Sequence, residues 1–137
     1  MGSMPNYPEL SGQSVLITGA SSGIGAGLAS AFAAQGCHIA VNYPDTSAQS
    51  AADNIVNAIS VNGGKAIAVQ ADVSHSGEVA AMMEATLKHF GKLDILINNA
   101  GIARSAPVQD ISEADWDMVM AVHIKGTFLC TRAALPH

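Results

Sequence analysis

Four short clusters in the chain bring together residue types that can do chemistry. The first is Thr18-Gly19-Ala20-Ser21-Ser22-Gly23-Ile24-Gly25, whose three glycines stand four and two residues apart. Glycines so spaced allow a tight turn and a close backbone approach, and the helix pattern that follows turns its free N–H groups and positive dipole end to the same place. A pyrophosphate suits such a site, and Ser21 and Ser22 can add hydroxyl donors. A nucleoside triphosphate loop fits less well, because no Gly-Lys-Ser/Thr follows. The second cluster, Asn42-Tyr43-Pro44-Asp45, ends an apolar run. A carboxylate there would bond a ribose 2′-hydroxyl and repel a 2′-phosphate. Asp45 could take that part or stabilise the turn after Pro44; Tyr43 could lie along an adenine or cover the sheet edge. The third is Asp72-Val73, where Asp72 could accept from an adenine amino group or cap the next helix. The fourth is Asn98-Asn99-Ala100-Gly101. Its small residues suit a backbone that carries a flat ring past, and one of its amides is expected to tie strand ends together.

These clusters share a position in the pattern. Each follows a short apolar run: 14–18, 38–43, 66–70 and 93–97. Between the runs lie stretches with apolar residues at helical spacing, such as Ile24, Leu28, Ala31 and Phe32, or Val79, Met82, Met83 and Phe90. A longer helix is expected from about Glu113 towards Leu135. Strand and helix in strict alternation call for a parallel sheet covered on both faces, with right-handed crossovers. In open α/β sheets ligands bind at the carboxyl ends of the strands, where all four clusters fall. The expected strand order is 3-2-1-4. Met82, Met83 and Trp116 read as packing residues.

Composition narrows the function classes. The chain has 137 residues, 49% hydrophobic and only 12% charged, which argues against disorder. Six basic and eleven acidic residues leave a net charge of −5, too little basic surface for a nucleic-acid binder. Two cysteines, Cys37 and Cys130, make neither a disulfide scaffold nor a cysteine-based metal site, and no metal ligand is assigned. No apolar stretch approaches the length of a membrane span, and no signal peptide is read at the start. A cytoplasmic protein without membrane or nucleic-acid partners is expected. Residues 1–10 read as an expression scar and lead-in, and residues 11–137 as one domain that is incomplete at its C-terminus.

Taken together, Thr18-Gly19-x-x-x-Gly23-x-Gly25, Asp72-Val73 and Asn98-Asn99-Ala100-Gly101, in this order on the alternating pattern, resemble the short-chain dehydrogenase/reductase family. The resemblance covers Ser11 to His137. It implies a three-layer α/β fold, a Rossmann-like doubly wound parallel sheet, here truncated. The stretch Gly36 to Tyr43 is similar to NADP-preferring ketoreductases, so NADP(H) is favoured as cofactor over NAD(H). By resemblance Gly19, Ser21, Ser22, Gly23, Ile24 and Gly25 hold the phosphates or adenosine ribose. Asn42 and Tyr43 stand at the ribose slot, with Tyr43 where NAD-dependent members carry Asp. Asp72 and Val73 meet the adenine, while Asn99, Ala100 and Gly101 pass the nicotinamide ribose. The implied substrate is a small carbonyl or alcohol, and the implied assembly a homodimer or homotetramer through the long helix.

Two departures from the family stand out. The Ser, Tyr and Lys that perform the reduction in the family lie beyond position 137. This sequence has only Tyr7 and Tyr43, neither followed four residues later by a lysine. Its alternative reading is therefore a naturally short, non-catalytic dinucleotide-binding or regulatory module. The second departure is His123, which stands where the family usually has an Asn that supports a water relay; a supporting role is all that is assigned to it. His38, His75, His89 and His137 read as surface or packing residues.

Overall fold

The computed structural model describes residues 3–137; Met1 and Gly2 of the expected expression scar lie outside the described residues. Four strands carry the core: β1 (Ser14–Ile17), β2 (His38–Tyr43), β3 (Lys65–Gln70) and β4 (Ile95–Ile97). All are parallel, in the order β3-β2-β1-β4. β4 starts two residues later than its apolar run, because the Asp94 side chain accepts from the Ser14 N–H at 2.8 Å and ties the strand entrance to β1.

The helices are α1 (Gly23–Ala34), α2 (Gln49–Val61), α3 (Ser76–Phe90), α4 (Glu113–Met120) and α5 (Gly126–Ala134). Alternation along the strands sorts the core into two layers, since successive side chains point to opposite faces. Val15, Ile17, Ile39, Val41 and Tyr43 face α1 and α2. Leu16, Ala40 and Val69 face α3 and α5, against Val79, Met82, Met83, Leu129 and Cys130. Leu16 and Met82 are fully buried, and truncating such a side chain costs about 2–5 kcal/mol. Trp116 is not a packing residue: it is 56% exposed on α4, in line with exposed Met120, Ile124 and Phe128.

The expected long helix is interrupted. Ala121–Lys125 form one π segment between α4 and α5, closed by a bond from the Gly126 N–H to the Ala121 carbonyl. Among the described residues no helix is long and apolar enough to cross a membrane.

Candidate functional site

All four strand ends open on one cleft of about 840 Å3, within the roughly 300–1,000 Å3 range of small-molecule and cofactor sites. Gly19, Ser21, Ser22 and Ile24 line it after β1, and Asn42, Pro44 and Asp45 at the end of β2. Asp72, Val73, Ser74 and His75 follow β3, and Asn99 to Ile102 follow β4.

Hydrogen bonds to the backbone fix the floor. The Thr18 hydroxyl, 2% exposed, accepts from the Asn99 N–H at 3.0 Å and the Ala100 N–H at 2.9 Å. The Asn99 amide donates back to the Thr18 and Gly19 carbonyls, each at 3.0 Å. Asn42, 1% exposed, accepts from the Gly19 N–H at 3.0 Å and donates to the Val69 and Ala71 carbonyls at 3.2 and 3.1 Å. These three side chains therefore clamp β1 to β4, through Thr18 and Asn99, and β1 to β3 across β2, through Asn42. Asn98 reaches outward instead, donating to the Thr131 hydroxyl at 3.1 Å.

The glycines let these pieces close up. Gly19 has φ +61, and a Cβ on it would stand 2.8 Å from the Ala100 Cα. On Gly25 a Cβ would meet the Asn99 amide nitrogen at 2.5 Å. Gly23 differs: its φ of +58 is left-handed, but nothing lies within 4 Å of the place a Cβ would take. It opens α1 next to Ser22, whose side chain does not cap the helix, and no acidic residue stands in the first turn. The first N–H groups of α1 thus carry the positive end of the helix dipole into open space at the cleft. This donor set fits a pyrophosphate. Ile24, 78% exposed, sits beside it.

Tyr43 does not line the cleft. It is 7% exposed and packs with Val41 and Ile17 under α1 and α2, because the strand's alternation points it to that face. The neighbouring polar group is Asp45, whose carboxylate caps the Thr46–Ala48 turn by accepting from the Ser47 N–H at 2.9 Å and from the Ser47 hydroxyl. Those two bonds hold its pKa below the ordinary carboxylate value.

Asp72 is engaged in a similar way. It accepts from the Ser74 N–H at 2.9 Å and the Ser74 hydroxyl at 2.7 Å, and its other oxygen lies 3.2 Å from His75 Nδ1. Partial burial pushes its pKa up, but the Ser74 bonds and the His75 charge outweigh that, and the result lies below the usual range. His75 also lies 3.4 Å from Glu78. Its place in the cleft wall was missed in the sequence, where it carried no ligand spacing.

His123 lies in the π segment, with its ring against Gly101 and its Nε2 at the Ile102 backbone. Arg104 lines the cleft near Asp117 and Met118, and pairs with Asp115 at 3.6 Å. Among the described residues no group of three or more His, Cys, Asp or Glu is placed to hold a metal ion.

A parallel α/β sheet whose glycine-rich first crossover points an uncapped helix into a cleft at the strand ends defines a dinucleotide-binding Rossmann domain. The family model for short chain dehydrogenases matches residues 13–137, and the chain belongs to that family. It is 45% identical to a 3-oxoacyl-(acyl-carrier-protein) reductase of Synechocystis sp. over 124 residues, 90% of this chain and 49% of that protein. Two solved structures superpose closely. A short chain dehydrogenase from Burkholderia cenocepacia in complex with NADP has a TM-score of 0.88 at 36% identity, over 93% of this chain and 51% of that one. A blue fluorescent protein from a metagenomic library in complex with NADPH has a TM-score of 0.87 at 31% identity, over the same shares, 93% and 51%. The chain spans about half the length of the curated relatives it matches.

Proposed function

We propose that the protein is a short-chain dehydrogenase/reductase-type oxidoreductase that binds NADP(H) in preference to NAD(H) and acts on a carbonyl or alcohol. The observation that carries this reading is the uncapped, glycine-opened start of α1 in the cleft. The N–H groups and hydroxyls of Ser21 to Ile24 would hold the pyrophosphate. Asp72 and Val73 would border the adenine, and Ala100 and Gly101 the nicotinamide ribose. Gly19, Gly25, Asn42 and Asn99 act beneath them, holding the floor in place. A bound nicotinamide supplies or accepts the hydride. The residues that would protonate the substrate oxygen, a Tyr with a Lys four residues on, are not in this sequence, and His123 has a supporting part only.

The cofactor preference has three supports. Both solved neighbours named above hold a 2′-phosphorylated cofactor. Tyr43 leaves no carboxylate at the end of β2. Asp45 is already committed to Ser47. No lysine or arginine lines that end of the cleft, so the preference is modest, roughly tenfold in affinity. Exposed Trp116, Met120, Ile124 and Phe128, one helical turn apart, favour a homo-oligomer through α4 and α5. We place the protein in the cytoplasm, in keeping with its two free, buried cysteines.

Titration with NADPH and NADH, followed by nicotinamide fluorescence, tests the reading. NADPH should bind about tenfold tighter, and the 137-residue chain alone should reduce no ketone in a broad panel. NADH binding as tightly as NADPH would overturn the preference, and binding of neither would overturn the cofactor assignment.

A further inference from the structure

The π segment brings the long helix against two strand ends at once. One added residue rotates everything after it by about 100° relative to a plain helix. His123 lies flat on Gly101, where a Cβ would stand 2.5 Å from the ring Cε1 and 3.0 Å from Nε2. Three residues later Gly126 lies on Val73, where a Cβ would stand 2.6 Å from Cγ2. The helix therefore touches both the β3 and the β4 side of the cleft.

At the β4 side one atom faces two partners. Nε2 of His123 is 3.0 Å from the Ile102 nitrogen, whose N–H points at it, and 2.8 Å from the Ile102 carbonyl oxygen. An imidazole nitrogen either carries a proton and donates or carries a lone pair and accepts. It serves one of these partners at a time.

We propose that His123 positions the Gly101–Ile102 backbone, and with it the β4 wall of the cleft, as a neutral ring whose Nε2 accepts the Ile102 N–H. Protonation reverses the contact. An imidazolium can only donate, so it keeps the Ile102 carbonyl and leaves the Ile102 N–H without a partner, and the wall shifts. An amide at 123 would have an oxygen for the N–H and an NH2 for the carbonyl, and would hold both at any pH. The inference rests on the reading of the cleft as a dinucleotide site. Among the described residues His123 makes no ion pair; the pairs of histidine with carboxylates involve His75. The charged groups on the elements around it are Arg104 and Asp110 on the β4–α4 loop, Glu113, Asp115 and Asp117 on α4, and Lys125 on its own segment. Arg104 and Asp115 are paired with each other. No charge lies in α5 before Arg132.

The test compares NADPH with 2′,5′-ADP, which has the same phosphorylated adenosine end and lacks the nicotinamide half. Their affinity ratio is measured from about pH 8 to about pH 5.5, in the wild-type protein and in His123→Asn. Exchange of the Ile102 amide is followed alongside. In the wild type the ratio should fall roughly three- to tenfold on acidification, the worth of one neutral hydrogen bond, and Ile102 should lose protection relative to its neighbours. In His123→Asn the ratio should keep only the slope that the titrating 5′-phosphate of 2′,5′-ADP gives it, against which the wild-type fall is read, and Ile102 protection should stay flat. A flat ratio in the wild type, or an equal slope in the variant, would overturn the proposal. If neither nucleotide binds the wild type at any pH, the dinucleotide reading falls. Amide exchange still decides the role of His123, and unchanged Ile102 protection in the wild type would overturn it. The wild-type profile stands even if the variant does not fold.

Discussion

The two ends of the cleft are built on different principles. At the β1–β4 end, buried Thr18 and half-buried Asn99 bond to backbone: Thr18 holds the Asn99 and Ala100 N–H groups, and Asn99 holds the Thr18 and Gly19 carbonyls. At the β2–β3 end buried Asn42 bonds to backbone beneath the cleft, but the exposed or half-buried side chains that border it bond within their own turns: Asp45 to Ser47, Asp72 to Ser74, and His75 to Asp72 and Glu78. Buried bonds of the first kind are costly to break, because the orphaned group has no water to turn to. Exposed contacts of the second kind contribute little to stability and leave room for adjustment. One end of the cleft is therefore set by the fold, and the other is open to tuning without loss of the fold.

Gly19→Val should show the largest effect. It needs φ +61 and places a Cβ 2.8 Å from the Ala100 Cα, so backbone strain and a backbone clash add to about 3–5 kcal/mol. Urea unfolding should show the loss; a change under about 1 kcal/mol would mean that the β1–β4 end yields more easily than described.

Thr18→Val comes next. It keeps the shape but leaves the half-buried Ala100 N–H without its acceptor and the Asn99 N–H with the Ile97 carbonyl alone, at 3.1 Å, at a cost of about 1–3 kcal/mol, and Thr18→Ser should restore most of it. If serine and valine destabilise equally, methyl packing rather than the hydroxyl holds this end.

The smallest effect belongs to the other end. Asp72 titrates below its ordinary value, so its contribution is present above the unfolded carboxylate pKa and lost as pH falls through the lower folded one. Stability should therefore decline below about pH 4, and Asp72→Asn should flatten part of that decline while changing the neutral-pH midpoint little. Asp94 shares the acid limb, since the Ser14 N–H and Lys92 hold its pKa down as well. A large loss at neutral pH in Asp72→Asn would show that the β2–β3 end carries the fold after all.

The strand order and the four strand-end clusters were legible in the sequence because alternation and glycine spacing are local signals. Tyr43 was harder to read. Strands buried on both faces are apolar on both, so their alternation is hidden, and a tyrosine at the strand end looked free to meet a ligand. Its inward direction follows from its parity with Ile39 and Val41. The π segment left no mark, since the phase step it puts into the helical pattern falls in the run Met118 to Ile124, which is apolar on several faces. Trp116 looked like core for the same reason: an aromatic on an amphipathic helix does not declare which surface the helix presents. His75 came to the cleft through the turn of Asp72, a contact between exposed side chains that spacing does not report.

The fit of His123 on Gly101 constrains how this sequence can diverge. With the ring in place, an alanine at 101 would put its Cβ 2.5 Å from the imidazole. A smaller residue at 123 would remove that obstacle. The two positions are thus coupled: a side chain at 101 requires the His123 ring to give way or a smaller residue to stand at 123.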